Sequence, residues 1–156
     1  MIFVDIPGRG KLEIENVVFD YNGTIAVDGI ISKSTKEYIS KIKEKLNVFI
    51  ATADTFGTVR EQCKELNINI KTYPKENAGN EKRKLVQELN GNKTICIGNG
   101  FNDIKMFEES CLSICIIGEE GCNGKLIAHS DIVVKSIEDA FNLLVNPNRI
   151  KATLRN

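Results

Sequence analysis

Residues 15–24 read Glu-Asn-Val-Val-Phe-Asp-Tyr-Asn-Gly-Thr, and this stretch decides the fold. The apolar run Val17–Phe19 ends in the carboxylate of Asp20, and a turn with Asn22 and Gly23 follows. A short apolar run that ends in an acid and a glycine turn is typical of a buried strand in an α/β protein, where the chemistry sits at the strand's carboxyl end. Asp20 is therefore the candidate nucleophile, and Asn22 places an amide where such a site can use a second acid.

Composition limits the classes of function. The chain has 156 residues, with 21 basic and 21 acidic side chains that cancel. This length fits one domain, and the balanced charge gives no field that attracts nucleic acid or an anionic membrane. No apolar run is long enough to span a bilayer. The five cysteines are odd in number, so we expect a reduced, cytoplasmic protein with free thiols.

Apolar runs alternate with helical patterns along the chain, which predicts a mostly parallel sheet with helices on both faces. Strands are predicted at 16–20, 48–51, 68–70, 94–97, 112–117 and 131–134. Helices are predicted from Ser32 or Ser34 to Leu46, over 55–66, around 85–89, from Asp103 to Glu109, and over 137–145.

The chain divides into three parts of one domain. Residues 1–15 are predicted to form an N-terminal hairpin, with strands at 2–6 and 11–15. Residues 16–145 form the α/β core. Pro147 is expected to break the chain, so that residues 146–156 are a basic tail.

Right-handed crossovers place the carboxyl ends of parallel strands at one edge of the sheet. Asp20, Thr52 and the loop 99–103 each follow an apolar run, so they are expected to open onto one crevice. Together with Lys82 they form a set for phosphoryl transfer. Asp20 could attack phosphorus, Thr52 and Lys82 could bind the phosphate, and Asp20 with Asp103 could hold Mg²⁺.

Four motifs in order carry a family resemblance. Asp20-Tyr-Asn-Gly-Thr, Thr52, Lys82 and Gly98-Asn-Gly-Phe-Asn-Asp103 resemble the motifs of the haloacid dehalogenase (HAD) superfamily. Thr52-Ala-Asp and the lysine helix beginning at Lys82 are similar to the phosphorylation domain of P-type ATPases. In closer detail the chain resembles the small, soluble P-type-ATPase-like phosphatases, over about residues 16–145.

The resemblance implies a HAD-like, Rossmannoid three-layer α/β/α sandwich and assigns roles to residues. Asp20, Asn22, Thr52 and Lys82 would form the catalytic set. The phosphate would be bound by Gly23, Thr24, Thr52, Ala53, Lys82 and Asn102. Mg²⁺ would be held by Asp20, the backbone oxygen of Asn22, Asn99 and Asp103.

Two positions depart from the family pattern. Metal-dependent phosphatases of this family carry an acid at the position of Asn22, and P-type ATPases, which form a long-lived phosphoenzyme, carry a threonine. An amide cannot exchange a proton, so Asn22 predicts slow dephosphorylation. Asn99 stands where the metal loop usually has an aspartate, which predicts weaker metal binding. A catalytically weak or inactive phosphate-binding or regulatory module with the same fold is the alternative.

The chain has no room for a cap domain between Thr52 and Lys82, and only one helix separates Asp20 from Thr52. The sequence therefore predicts an open crevice that accepts a large substrate, is covered by a second copy in a homo-oligomer, or stays wet. The hairpin around Pro7–Gly10, or the segment 75–80, is a candidate cover. The expected ligand is a small phosphorylated substrate or phosphate.

Several residues have two interpretations from sequence alone. Asp54 is either a helix cap or a site residue, and Lys84 is the alternative to Lys82. The cysteines at 111, 115 and 122 lack metal-site spacing and are interpreted as mostly buried, small apolar residues. His129 is interpreted as a helix-end or surface residue.

Overall fold

Six parallel strands form the sheet that carries the candidate site. The computed structural model describes residues 1–54 and 56–156. The strands are β1 Ile2–Ile6, β2 Gly10–Ile14, β3 Asn16–Phe19, β4 Asn47–Thr52, β5 Asn69–Thr72, β6 Thr94–Gly98, β7 Leu112–Ile116 and β8 Ile132–Val134. The helices are α1 Lys33–Ile42, α2 Val59–Gln62, α3 Ala78–Glu88, α4 Ile104–Glu109, α5 Gly124–Ala128, α6 Ile137–Val145 and α7 Pro147–Leu154.

The main sheet has the order β5-β4-β3-β6-β7-β8, and its strands are parallel. This confirms the predicted α/β class and all six predicted core strands. Phe19 at the end of β3 lies opposite Ile50 on one side and Ile97 on the other. The chain builds β4 and β5 on one side of β3 and then crosses to β6, so Asp20 follows the strand at the topological switch point, where α/β proteins bind ligands.

Two apolar clusters cover the two faces of the sheet and make three layers. The larger cluster joins the sheet to α1, α6, α7 and the hairpin, with Ile39 and Phe141 fully buried. The smaller cluster joins the other face to α3 and α4, with Val86 and Met106 fully buried. The central strands β3, β6 and β7 are buried on both faces, and the amphipathic helices bury their apolar sides against the sheet while their polar sides face water.

The N-terminal hairpin of β1 and β2 forms as predicted, with Phe3 opposite Glu13. It lies at the amino-terminal edge of the main sheet, because the Glu15 amide donates to the carbonyl of Lys93, just before β6. Arg9 at the hairpin turn reaches Asp131, just before β8, at 3.5 Å. The hairpin is therefore at the edge opposite Asp20 and does not cover the chain's own site.

Residues 146–156 are not a tail, which corrects the sequence prediction. Pro147 is the first residue of α7, where its fixed φ and missing N–H suit a helix start. Ile150 is fully buried against the hairpin side of the core. A proline that breaks one helix can begin the next, and here it does both.

Two predicted helices are shorter than expected. Helix α1 begins after Ser32, whose side chain accepts from the Thr35 amide, but it ends at Ile42 rather than Leu46. The prediction of a helix over 55–66 begins at a residue outside the described part of the chain. The helix itself starts at Val59 because Gly57 adopts a φ of +71°, which a helix cannot contain. Within the described residues, no helix combines the length and the apolar character of a membrane span.

Candidate active site

A buried lysine joins two carboxylates at the carboxyl edge of the sheet. Lys82 Nζ lies 2.6 Å from Asp20 Oδ1 and 2.7 Å from Asp103 Oδ1. Its side chain is fully buried because it occupies the inward face of α3, together with Leu85 and Val86. A buried ammonium needs partners of opposite charge, so this triad fixes α3 against β3 and against the loop after β6.

Asp103 acts behind the cavity rather than in it. Its Oδ1 contacts Lys82, and its Oδ2 accepts from the backbone amides of Asn99 at 3.1 Å and Gly100 at 2.9 Å. The side chain is fully buried. Its contacts are thus taken up by the lysine and the loop, and the predicted direct metal contact is not what this geometry favours. Gly98 is required beside it, because a Cβ there would lie 2.4 Å from Asp103 Oδ2.

Asn99 is built into the fold by its amide. Its Oδ1 accepts from Thr24 Oγ1 at 3.2 Å, and its Nδ2 donates to the carbonyl of Gly121 at 3.0 Å. Gly23 adopts a φ of +77°, and a Cβ there would lie 2.2 Å from Asn99 Nδ2. An aspartate at position 99 could not donate to Gly121, so the amide has a structural reason to be present.

Eight residues line an open cavity of about 360 Å³ over Asp20. The cavity shows that the strand ends and the loop meet as predicted. Thr52 is buried at its base, and its Oγ1 accepts from the Asp54 amide at 2.8 Å, which leaves the hydroxyl proton free to be donated to a ligand. The lining residues are Asp20, Asn22, Thr52, Ala53, Asn99, Gly100, Phe101 and Asn102.

Asn22, which lines this cavity, carries a buried side-chain oxygen without a partner in the described part of the chain. Its Oδ1 is buried and accepts no hydrogen bond from the described residues. A buried acceptor without a donor is costly, and such groups are concentrated where a ligand or ion completes them. Asn22 therefore departs from the family pattern and also carries a side-chain oxygen that lacks a hydrogen-bond donor among the described residues.

The electrostatics of the triad follow from burial and from its three charges. Burial, reinforced by the charge of Asp103, raises the pKa of Asp20 to about 6, although Lys82 opposes this change. Burial alone would lower the pKa of Lys82, but Asp103 and Asp20 outweigh it and raise that pKa above its ordinary value. The lysine is thus permanently charged, and Asp20 is a carboxylate that gains or loses its charge near neutrality.

The donors around the cavity fit a hard divalent cation. The Asp20 carboxylate, the Asn22 backbone oxygen and the Asn99 amide oxygen are the oxygen types that Mg²⁺ takes, usually with one or two carboxylates and the phosphate of a substrate. The unpartnered Asn22 Oδ1 adds a buried oxygen that a cation would satisfy. The described residues contain no group of three or more His, Cys, Asp or Glu side chains placed to hold a metal. With one carboxylate among these oxygens, the set is of the kind that Mg²⁺ uses together with a substrate phosphate.

Three other residues that the sequence offers as site candidates lie outside the cavity over Asp20. Lys84 is exposed and pairs with Glu81 at 2.8 Å, so Lys82 is the lysine that contacts Asp20, although it does not itself line the cavity. Asp54 Oδ1 accepts from the amides of Thr58 and Val59, which makes it a cap at the start of α2. Thr24 bonds Asn99 and is absent from the lining of the cavity over Asp20, so its predicted phosphate contact is not supported.

His129 is an exposed partner of Glu108 at 3.1 Å, as expected for a surface residue. Asn102 is close to the lysine, with 3.4 Å between Lys82 Nζ and Asn102 Oδ1. The contacts between Asn99 and the segment 121–123 could not be predicted from sequence, because they join two loops that are distant along the chain.

The chain is similar in sequence to two proteins of one archaeon. No family model matches it. It is 48% identical over 88 residues to the uncharacterized protein MJ0073 of Methanocaldococcus jannaschii, a match that covers 52% of this chain and 95% of that protein. The chain belongs to one family with MJ0073. It is also 26% identical over 135 residues to a soluble P-type ATPase-like phosphatase of the same organism, covering 85% of this chain. The chain spans 50% of that phosphatase's length.

Solved structures support the fold. A protein from Streptomyces avermitilis assigned to the HAD family of hydrolases aligns with a TM-score of 0.67 at 15% identity, covering 83% of this chain and 81% of the other. The 3-deoxy-D-manno-octulosonate 8-phosphate phosphatase of Moraxella catarrhalis, in complex with magnesium, phosphate and KDO, aligns with a TM-score of 0.68 at 19% identity, covering 91% and 94%. The chain therefore has the HAD fold.

The triad predicts unequal effects of two lysine substitutions. Lys82→Met leaves two buried carboxylates without their shared cation, so the free energy of unfolding should fall by about 3–5 kcal/mol near neutral pH. The matched change Lys84→Met removes an exposed pair and should cost less than about 1 kcal/mol. Urea unfolding measures both, and equal losses would show that Lys82 is not the buried partner of the two acids.

The raised pKa of Asp20 predicts a pH dependence of stability without added metal. The fold disfavours the ionised form, so this group's contribution is complete below its ordinary pKa of 3.8 and is lost as the pH rises through about 6. Relative to Asp20→Asn, the protein should lose at most about 3 kcal/mol across this window. Urea unfolding in EDTA measures the difference, with the exposed Asp5→Asn as control. A difference that grows in the opposite direction would refute the assignment.

Proposed function

We propose that this chain is a phosphohydrolase that transfers a phosphoryl group to Asp20 and releases it slowly to water. The observation that carries the proposal is Lys82 held between Asp20 and Asp103 beside a cavity that also contains Thr52. This is a carboxylate nucleophile, a fixed cation and a hydroxyl donor at one edge of the sheet. The relatedness to a soluble P-type ATPase-like phosphatase supports the same reaction class.

The proposed reaction has two steps. An oxygen of Asp20 attacks phosphorus, the bond from phosphorus to the leaving oxygen breaks, and that oxygen takes a proton from solvent. Water then attacks the phosphorus of the aspartyl-phosphate, the bond to the Asp20 oxygen breaks, and inorganic phosphate leaves. Thr52 donates its hydroxyl hydrogen to a phosphate oxygen, and Lys82 balances the charge that Asp20 and the phosphate bring together.

Magnesium completes the charge balance in this proposal. The lining residues of the cavity include no lysine or arginine, and the charge of Lys82 is already shared by two carboxylates. A phosphate dianion therefore needs a further cation. Mg²⁺, when bound, would supply positive charge to the phosphate oxygens. Asp20, the backbone oxygen of Asn22 and Asn99 would hold it, and the magnesium and phosphate of the Moraxella catarrhalis structure support this choice.

Slow turnover follows from Asn22. A general acid or base at this position contributes about 10²–10⁴ to a rate, and an amide cannot fill that role. The absence of a general acid slows the first step less when the leaving group is the anion of a comparatively strong acid, because such an anion can depart without taking a proton. We therefore propose acyl phosphates and aryl phosphates as the best substrates of the reaction, with release from Asp20 as the slow step.

The substrate region lies beside Phe101. This side chain is 63% exposed and, with Asn102, lines both the cavity over Asp20 and a neighbouring cavity of about 270 Å³. Lys75 and Lys105 also line the second cavity. A small organic phosphate would place its phosphate at Asp20 and its leaving group over the Phe101 ring. Water exclusion would come from the bulk of the substrate or from a second copy of the chain.

A phosphate-binding module without turnover is the second candidate. It is favoured by the pair of amides at the site, since Asn22 replaces an acid and Asn99 is held by two hydrogen bonds that need its amide. In this case Thr52, together with a cation held at Asp20, would bind phosphate without forming a covalent bond. The two candidates differ in whether phosphate ever becomes attached to the chain.

Restoring an acid at position 22 separates the two candidates. Hydrolysis of acetyl phosphate and p-nitrophenyl phosphate with Mg²⁺ is measured for the unaltered protein and for Asn22→Asp, with the exposed Asn92→Asp as matched control. The enzyme proposal predicts about 10²–10⁴-fold faster turnover for Asn22→Asp and no change for Asn92→Asp. Adding Asp20→Asn to Asn22→Asp should abolish the gain.

Activity that survives in the double variant would show that Asp20 is not the nucleophile. A complete absence of turnover in both the unaltered protein and Asn22→Asp, with phosphate binding intact, would favour the binding module. Binding of inorganic phosphate by calorimetry, with and without Mg²⁺, gives that second measurement.

A further inference from the structure

Two cysteine sulfurs meet beside the loop that carries Asn99. Cys115 Sγ and Cys122 Sγ are 2.8 Å apart, and both residues are free thiols. Cys115 is fully buried in β7, and Cys122 lies half-buried in the connection between β7 and α5. Within the described chain no other two cysteine sulfurs make contact: Cys111, for example, bonds the carbonyl of Thr94 instead.

The two cysteines lie on either side of Asn99. Cys115 is the register partner of Gly98, the residue before Asn99, in the pairing of β6 with β7. Next to Cys122, the Asn123 amide donates to the backbone oxygen of Asn99 at 2.8 Å, and the Gly121 carbonyl accepts from the Asn99 side chain at 3.0 Å. A bond between the sulfurs would therefore fasten the segment 118–123, here called the Asn99 clamp, to the strand beside Asn99.

We propose that Cys115 and Cys122 form a reversible disulfide that locks the Asn99 clamp in place. A disulfide has its sulfurs about 2.05 Å apart, so each must move by less than about 1 Å from the thiol geometry. The sulfurs are therefore already close enough for the bond to form by a small shift of the two side chains. Asn99 keeps its two contacts to the segment 121–123 in both redox states, and the disulfide removes the freedom of the segment to leave.

A peroxide is the oxidant in the proposed reaction. Cys122, the more exposed thiol, gives its proton to solvent and attacks a peroxide oxygen as its thiolate. The O–O bond breaks, a sulfenic acid forms, and the departing hydroxide takes a proton from solvent and leaves as water. The sulfur of Cys115 then attacks the Cys122 sulfur, the S–O bond breaks, and a second water leaves with the thiol proton. Two thiols and one peroxide thus give one disulfide and two waters, and a dithiol reductant reverses the change.

The position of the two thiols sets their order of reaction. Burial, with the hydrogen bond to Cys122, raises the pKa of Cys115 to about 12, so this sulfur is not the first to meet an oxidant. The completely buried Cys96 and the buried Cys63 lack a sulfur in contact. The geometry therefore selects one pair among five cysteines.

The test is a count of thiols on the purified protein before and after treatment with hydrogen peroxide. Alkylation in denaturant should label all five cysteines of the reduced protein and three of the five after oxidation. The intact mass should fall by about 2 Da, and peptide mapping should find Cys115 joined to Cys122. Dithiothreitol should restore five labelled thiols. Hydrogen exchange at the Asn123 amide should slow in the oxidised form, and Tm should rise by about 5 °C.

Two matched variants decide the outcome. Cys122→Ser should lose the mass change and the rise in Tm, whereas Cys111→Ser should keep both. Five labelled thiols after peroxide, a sulfinic or sulfonic acid on Cys122 without a cross-link, or a disulfide between chains would each overturn the proposal. These measurements do not depend on phosphatase activity, so a failure of the proposed function and a failure of the disulfide are told apart.

Discussion

The structure depends on one buried ammonium. Lys82 sits at 0% exposure between Asp20 and Asp103, at 2.6 and 2.7 Å. Removing a charge of this kind from water is costly, and only close partners of opposite charge offset the cost. Because these partners come from the end of β3 and from the loop after β6, while the lysine comes from α3, the contact holds three separate pieces of chain in register. The crevice over Asp20 exists where these three pieces meet.

The same contact explains the chemistry that remains for the cavity. One carboxylate oxygen of Asp103 accepts from Lys82 and the other from two backbone amides, so this side chain holds the loop in place. Asp20 is therefore the carboxylate that faces the cavity. Asn99 is part of this arrangement, because its amide makes one donating and one accepting bond that an aspartate could not both make. Asn22 is different: its side-chain oxygen is buried and unpartnered among the described residues. The two departures from the family pattern thus differ: the Asn99 amide has hydrogen-bond partners within the fold, whereas the Asn22 side-chain oxygen has none among the described residues.

Much of this could be predicted from the sequence, and the limits are physical. Short apolar runs that end in polar residues identified all six core strands, and the parallel order then brought Asp20, Thr52 and the loop after β6 to one edge. Lys82 could be favoured over Lys84 because the segment that begins at Lys82 resembles the lysine helix of P-type ATPases, and the structure buries Lys82 on the inward face of α3. The hydrogen-bond partners of Asp103 and Thr24 could not be predicted, because a carboxylate or hydroxyl in a loop has several possible partners that only the folded structure distinguishes. Pro147 was interpreted as a break, although proline also starts helices. The contact of Cys115 with Cys122 joins a strand to a loop and has no motif.

The central claim is that Asp20 receives the phosphoryl group while Lys82 stays anchored to Asp103. A crystal structure with Mg²⁺ and beryllofluoride, a mimic of a phosphoryl group bound to a carboxylate, tests it most directly. The account predicts beryllofluoride on Asp20, a hydrogen bond from Thr52 to its fluorine, Lys82 still in contact with Asp103, and an ion beside Asp20, the backbone oxygen of Asn22 and Asn99. An Asp20 that keeps only its contact with Lys82, with the mimic and the ion absent from the cavity or bound elsewhere at saturating concentrations, would contradict it.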